Sequence, residues 1–301
     1  MICLTNKNIK FEIHGNEMEA GYNLHYVVKS LSEFHSILDK AYLVLSDKVK
    51  MSESDRNFYQ VKMISVNKGS FIADLSLSFM AAYQTTFPFV ASLSPKGIWE
   101  ITLQGYEYLR FVFDAFHKGE TIKIENGDNN MVTVVRGNNN SIKIHPITIQ
   151  LVGNATNEYQ DLVNNIGSGR GIDKISIKEK TKEGNGIFID AQDKELFQSS
   201  KVVDEVPAKF LGKIFRIDGH SCTGRLSVLN SYDKDVLEGK DYSFDLINKE
   251  DIALCNSVFM EETEIVALKE LNFNPTSLTN SVIRLKIYKI LPGHKSFSPS
   301  I

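Results

Sequence analysis

The chain has 301 residues, of which 42% are hydrophobic and 24% are charged, and it carries a formal net charge of −3. These values are typical of a globular protein of about two domains, and the even spread of charge excludes a strongly basic segment that would bind nucleic acid through phosphate contacts alone. The three cysteines are far apart and no run of about 18 apolar residues occurs, so we expect a cytoplasmic protein without a membrane span, metal or cofactor.

The first 118 residues are predicted to form an α+β domain. Residues 9–15 alternate between apolar and polar side chains, which predicts a strand, and residues 18–28 are expected to pair with it as a second strand. A capping box then precedes apolar residues at helical spacing, and this pattern predicts an amphipathic helix over residues 31–46.

Two longer segments complete this domain. Residues 58–79 hold two alternating runs around a short turn that contains glycine, which predicts a β-hairpin. Residues 98–117 are rich in aromatic side chains and are followed by a glycine, so we expect a largely buried helix there. A helix that is apolar on more than one face needs two neighbours, which could be two parts of this chain or this chain and a partner.

Residues 119–150 contain a short repeat with a period of ten residues. In each unit two apolar residues flank one polar residue, and Asn- and Gly-rich turns separate the units. The constant phase places all the apolar side chains on one face of three short strands. The apolar pairs are Ile122/Ile124, Val132/Val134 and Ile142/Ile144.

Two geometries fit this repeat. One is a β-meander whose apolar face is covered by the main fold. The other is a solenoid or stalk shared between subunits, in which Val132, Val134, Ile142 and Ile144 would mediate assembly. A calcium-binding repeat would need repeated aspartates, and Asp128 is the one aspartate in these units.

Residues 151–200 are predicted to form an α/β connector. We expect a helix over residues 157–166, a strand over residues 172–178, and a strand followed by a short helix within residues 186–197. The sequence GSGRG lies between the first helix and the first strand. A phosphate-binding loop needs a strand before it and a helix after it, so this order favours a simple turn.

Residues 201–292 are predicted to form a small β-barrel, and residues 293–301 a loose tail. About five short apolar runs with polar turns between them indicate a barrel of the oligonucleotide-binding or SH3-like kind. Four residues in or beside its last strand could form a basic and aromatic patch for nucleic acid or another partner. These residues are Arg284, Lys286, Tyr288 and Lys289. A solvated strand face is the simpler interpretation of the same pattern.

One turn of this segment resembles a nucleophile motif. Residues 219–223 read GHSCT, one residue short of the GxSxG elbow, in which a strand precedes the serine and a helix follows it. Here a strand is expected to follow, so a hairpin turn is the preferred interpretation. A thiol nucleophile at Cys222 with His220 as its base would be the catalytic alternative.

Three segments together resemble a group of uncharacterised bacterial two-domain proteins: VNKGSFIADLSL, GNNNSIKI and LGKIFRID. The resemblance implies an α+β N-terminal domain, an Asn/Gly-turn β segment and a C-terminal five-stranded barrel, with a link to mobile elements or antiviral defence. It implies no active site. We therefore expect a non-enzymatic binding or assembly protein that recognises a protein partner, and the repeat could join its copies into a homo-oligomer. Nucleic-acid binding by the barrel and a hydrolase at His220 and Cys222 are the alternatives.

Overall fold

A computed structural model of the protein describes residues 3–15, 21, 23–67, 71–80, 93–126, 131–137, 140–180, 185–198 and 201–291. The chain divides into two compact units, Met1–Ser199 and Ser200–Ile301. Helices and strands are both present, which confirms the mixed α+β class. The expected domain at 1–118, the repeat at 119–150 and the connector at 151–200 thus share one unit. The expected tail, 293–301, lies outside the described residues.

In chain order, the elements of the first unit are β1 (Cys3–His14), α1 (Leu24–Leu45), α2 (Glu53–Phe58), β2 (Tyr59–Asn67), β3 (Phe71–Met80), α3 (Pro95–His117), β4 (Ile122–Asn126), β5 (Val132–Arg136), β6 (Asn140–Ile144), α4 (Pro146–Asn164), β7 (Lys174–Glu179), β8 (Gly186–Ile189) and α5 (Ala191–Gln198).

An antiparallel five-stranded sheet forms the centre of this unit, with the strand order β2-β3-β1-β7-β8. Because side chains alternate along a strand, Ile9, Phe11 and Ile13 of β1 share one face with the odd-numbered apolar residues of β3, and the helices cover this face. Phe11 of β1 packs on Phe34 of α1 with ring centroids 5.5 Å apart. Tyr42 of α1 stacks on Tyr59 of β2 at 4.9 Å.

The structure confirms the hairpin of β2 and β3 and the buried helix α3, and it corrects two boundaries. The prediction of a second strand at residues 18–28 is wrong at its C-terminal end, because residues 24–28 form the first turns of α1. Residues 16–20 lie outside the described part of the chain. The helix expected from residue 157 starts at Pro146 instead. Proline has no N–H to lose at this first helical position, and the His145 side chain accepts a hydrogen bond from the backbone N–H of Ile147.

The repeat forms an antiparallel meander, β4-β5-β6, which we call the meander from here on. Val134 and Ile144 are fully buried, so part of its apolar face is covered within this chain. Gln104 of α3 anchors the end of the meander, because its side-chain oxygen accepts from the backbone N–H of His145 and from the hydroxyl of Thr148. Ile124, on the edge strand β4, remains 39% exposed.

The second unit contains β9 (Lys201–Asp218), β10 (Thr223–Ser231), β11 (Asp241–Leu246), α6 (Ile252–Ser257), β12 (Glu262–Asn274) and β13 (Thr279–Leu291). These strands form a closed barrel in the order β10-β11-β13-β12-β9. The β11–β13 pair is parallel and the other pairs are antiparallel. Alternating side chains such as Phe210, Leu226 and Leu285 fill the interior, as expected for a small barrel.

Candidate functional site

Three arginines lie in one row across the outside of the barrel. Strand register places Arg225 of β10 opposite Arg216 of β9 on one side and opposite Ser243 of β11 on the other. Ser243 in turn lies opposite Arg284 of β13. We call Arg216, Arg225, Ser243 and Arg284 the arginine row. Four neighbouring strands therefore bring three positive charges to one surface.

Local irregularities of β9 and β10 shape this surface. A bulge next to Arg225 leaves Phe215 without a partner in the ladder, and the guanidinium of Arg225 lies 5.8 Å from the centroid of the Phe215 ring. Gly224 precedes Arg225 and points into the barrel, where an added Cβ would lie 2.3 Å from the Arg216 carbonyl oxygen and 2.5 Å from the Phe244 ring. Glycine is therefore needed for the close approach of β9 and Phe244 behind the row.

A cavity of about 210 Å³ lies at the row and is lined by all three arginines, by Thr223 and by Asp218. It is smaller than the range of about 300–1,000 Å³ that is usual for small-molecule sites. A cavity of this size can hold one anionic group of a larger ligand, and the hydroxyls of Thr223 and Ser243 can donate to the same group.

Only part of the positive charge in the row is neutralised. Arg284 donates to Asp245 Oδ1 over 2.7 Å. Among the residues that the structure describes, neither Arg216 nor Arg225 takes part in an ion pair, and both are exposed. Like charges on directly opposed strand positions destabilise a sheet, so this pairing of Arg216 with Arg225 is unfavourable in the free protein.

Asp218 supplies a negative charge at the edge of the cavity, and its hydrogen bonds go to the backbone of the adjacent turn. Its Oδ1 accepts from the backbone N–H groups of His220, at 2.9 Å, and of Ser221, at 3.2 Å. These backbone hydrogen bonds, first that of Ser221, lower the pKa of Asp218. The carboxylate thus stays ionised and organises the loop between β9 and β10.

Of the four residues that the sequence suggested for binding, Arg284 lines the cavity. Lys286 is half-buried on β13 and lies opposite Asp245, one row further along. Tyr288 is 57% exposed further along β13, and the exposed Lys289 lies opposite Val266 of β12. Arg216 and Arg225 were not among the residues that the sequence suggested. Their near-symmetric positions on either side of the 219–222 turn are the signal that could have found them, since a hairpin brings such positions together.

The turn itself does not have the geometry of a nucleophile elbow. Strand β10 follows it, and no helix does. Cys222 is buried, and its Sγ lies 3.9 Å from the carbonyl oxygen of Gly219 within the same turn. His220 is exposed. The turn is a hairpin connection, which is the preferred interpretation of the sequence.

The four residues suggested for assembly all lie in the meander. Val134 and Ile144 are buried against the chain itself, whereas Val132 and Ile142 are partly exposed. Ile142 lies opposite Val134, which lies opposite Ile124 on the outer strand.

Within the described ranges, no group of three or more His, Cys, Asp or Glu side chains is placed to hold a metal ion. No helix in the described part of the chain is long and apolar enough to span a membrane. Comparisons with protein-family models, with curated proteins and with solved structures gave no match.

Proposed function

We propose that the protein is a binding protein whose barrel holds single-stranded nucleic acid, with the arginine row contacting its phosphates. The observation that carries this proposal is the direct cross-strand pairing of Arg216 with Arg225, both without a carboxylate partner in the described residues. A bound phosphate removes the repulsion between them. Guanidinium groups also suit phosphate because they can donate two parallel hydrogen bonds to it.

The order of the barrel strands supports the same proposal. The first strand of the barrel, β9, pairs with the second, β10, and with the fourth, β12. The third strand, β11, runs parallel to the fifth, β13, and the helix α6 lies between the third and fourth strands in the chain. We assign this arrangement to the oligonucleotide-binding class, in which the face of the second and third strands and the adjoining loops bind the ligand. Here those strands are β10 and β11, and they carry Arg225 and Ser243.

The balance of charge predicts modest and salt-sensitive affinity. Asp218 and Asp245 lie beside the row, so its net positive charge is small, and phosphate contacts are weakened by salt in proportion to their number. Proteins of this kind usually stack bases on exposed aromatic side chains, but Phe215, which lies beside the row, is half-buried and has the Arg225 guanidinium over its ring. We therefore expect weak sequence preference and recognition of the backbone.

The test is fluorescence anisotropy of labelled single-stranded DNA and RNA oligonucleotides at low salt. The double substitution Arg216→Glu with Arg225→Glu is expected to weaken binding at least about tenfold, because it replaces two phosphate contacts by repulsion. The matched control is Lys234→Glu with Lys249→Glu, which changes the net charge of the barrel equally at exposed positions that do not line the cavity. Absence of binding at low salt, or equal weakening of binding by the control substitutions, would contradict the proposal.

Self-assembly through the meander is a second candidate, and the exposure of Ile124 and the partial exposure of Ile142, on the two outer strands, favour it. A second copy that covered this edge would complete the apolar face. Light scattering at a protein concentration of roughly tens of micromolar should then give a mass above that of a monomer. Deletion of residues 126–141 should reduce this mass. A strict monomer that is unchanged by the deletion would contradict self-assembly.

Recognition of a protein partner, a cytoplasmic location and a bacterial origin linked to defence or mobile elements stay proposals. Cys222 and Cys255 are free thiols, which supports a reducing compartment.

A further inference from the structure

A second cavity, of about 470 Å³, lies in the first unit between α3, the meander and α5. Its volume falls within the range of about 300–1,000 Å³ that is usual for small-molecule sites. Phe111, Ile142 and Leu196 provide its apolar lining. The remaining walls carry ionised groups, which the contacts within the protein neutralise unequally.

On the meander side, the charges are paired. Asp114 accepts from Lys118 over 2.8 Å and forms an ion pair with Arg136. Burial alone would raise the pKa of Asp114, but these two cations outweigh it and lower the pKa. The guanidinium of Arg136 also lies 4.5 Å from the centroid of the Phe111 ring. This half of the cavity therefore has little capacity for a further charge.

On the α5 side, carboxylates are in excess. Asp193 is buried, with its Oδ1 at 3.0 Å from Nε of Arg110. Burial nevertheless raises the pKa of Asp193, so Arg110 does not fully compensate it. Glu107 lies one helical turn before Arg110, and it has no ion pair among the described residues.

Glu107 is the group left over by this pairing. Its side chain is accessible from the cavity, while the protein around it displaces bulk water and raises its pKa. The lining as a whole holds three carboxylates (Glu107, Asp114 and Asp193) and two guanidinium groups (Arg110 and Arg136). Just outside the lining, Lys118 on Asp114 and Glu120 at 3.8 Å from Arg136 cancel each other, so the cavity keeps one negative charge that is not neutralised.

We propose that this cavity binds a small organic cation through the Glu107 carboxylate. An ammonium group there would complete the charge balance, and the amide oxygen of Gln192 on the facing helix can accept a further hydrogen bond from it. The alkyl part of the ligand would lie against Phe111, Ile142 and Leu196, and the removal of its apolar surface from water would favour binding. This site belongs to the first unit and does not depend on the proposed function of the barrel.

The experiment compares three probes that share one alkyl group. Isothermal titration calorimetry with the full chain would use 3-methylbutylammonium chloride, 3-methyl-1-butanol and 4-methylpentanoate. The ammonium is expected to bind most tightly, with the alcohol weaker by about tenfold or more, because a charge-assisted hydrogen bond is lost. Equal binding of the alcohol, tighter binding of the carboxylate, or no saturable binding of the ammonium would overturn the proposal.

A matched pair of variants assigns the binding to Glu107. Glu107→Gln keeps the size of the side chain and is expected to weaken binding of the ammonium by about tenfold. Glu100→Gln removes the same charge from α3 at an exposed position that does not line the cavity and is paired with Lys96, and it should leave the affinity unchanged. Thermal unfolding of both variants verifies that they are folded. An affinity that survives Glu107→Gln would refute the assignment.

Discussion

The cations of the barrel differ sharply in how they are partnered. Lys269 is buried on β12, and its Nζ lies 2.9–3.1 Å from the carboxylates of Asp204, Asp233 and Asp235. Burial opposes its charge, but the three hydrogen bonds outweigh burial and raise the pKa of Lys269. Arg216 and Arg225 have no such partners among the described residues. The barrel therefore neutralises a structural cation internally and leaves two surface cations open to a ligand.

Glu12 offers a test of electrostatics at a single residue. It lies on the face of β1 opposite to Phe11 and is almost fully buried. Its carboxylate accepts hydrogen bonds from Lys10, from Ser176 at 2.8 Å and from Lys178 at 3.1 Å. Burial would raise its pKa, but these bonds lower it from 4.5 to about 2. The stability contributed by Glu12 is thus fully present above about pH 4.5 and is lost as the pH falls towards 2.

We expect Glu12→Gln to lower the free energy of unfolding by ~3 kcal/mol at pH 6, since one unit of pKa shift corresponds to about 1.4 kcal/mol. Urea unfolding between pH 6 and pH 2 measures this, and the gap between the variant and the wild type should close in acid. The exposed Glu125→Gln is the control and should change little at pH 6. A gap of constant size across this range would contradict the assignment.

At the scale of elements, the meander shows how a weak unit is stabilised. Three strands of five residues each are marginal alone, and the burial of Val134 and Ile144 against the rest of the chain supplies what they lack. The sequence predicted the shared apolar face. It left open what covers that face, because the ten-residue phase is the same whether the cover is this chain or another copy.

The meander also yields a measurable contrast between covered and uncovered side chains. Ile144→Ala is expected to lower the free energy of unfolding by about 2–5 kcal/mol because it leaves a cavity in a packed site. Ile124→Ala, at 39% exposure, should cost less than ~1 kcal/mol. Urea unfolding at two protein concentrations measures both. If Ile124→Ala costs as much as Ile144→Ala, and more so at high concentration, Ile124 is covered by a second copy.

At the scale of the whole molecule, each of the two compact units has its own core. The first is built on one face of the five-stranded sheet and the second fills the barrel. Strand β7 pairs with β1 and β8 pairs with β7, so the last strands of Met1–Ser199 belong to the same sheet as the first one, and we expect this unit to fold as one body. We therefore expect two thermal transitions instead of one.

Core substitutions assign these transitions. Ile37 of α1 and Leu226 of β10 are both fully buried. In differential scanning calorimetry, Ile37→Ala should lower the transition of the first unit and Leu226→Ala that of the second, each by several degrees, since about 1 kcal/mol shifts the midpoint of a unit of this size by roughly 2–8 °C. A single transition that both substitutions shift would show that the two units unfold together.

The sequence by itself determined the features that depend on local periodicity. The alternation in β3 and β12, the helical spacing in α1 and the apolar phase of the repeat each follow from how successive side chains point. The end of α4 was also close to its prediction, whereas its start was not. Residues 147–151 alternate between apolar and polar side chains, a pattern that also fits a strand, and Gly153 is a poor helix former. They are helical because Leu151, Val152 and Ala155, which lie at helical spacing, are buried together by tertiary packing.

The tertiary structure alone decided which distant residues meet. Register and packing between segments far apart in the chain decide that β7 joins β1. They also decide that Arg216 and Arg225 share a row with Arg284 and that Glu107 is left without a cation among the described residues. A shift of one residue in strand register moves a side chain to the opposite face of a sheet, so no local pattern can specify such a contact. For this protein, the candidate sites are therefore properties of the fold, and the elements that build them are properties of the sequence.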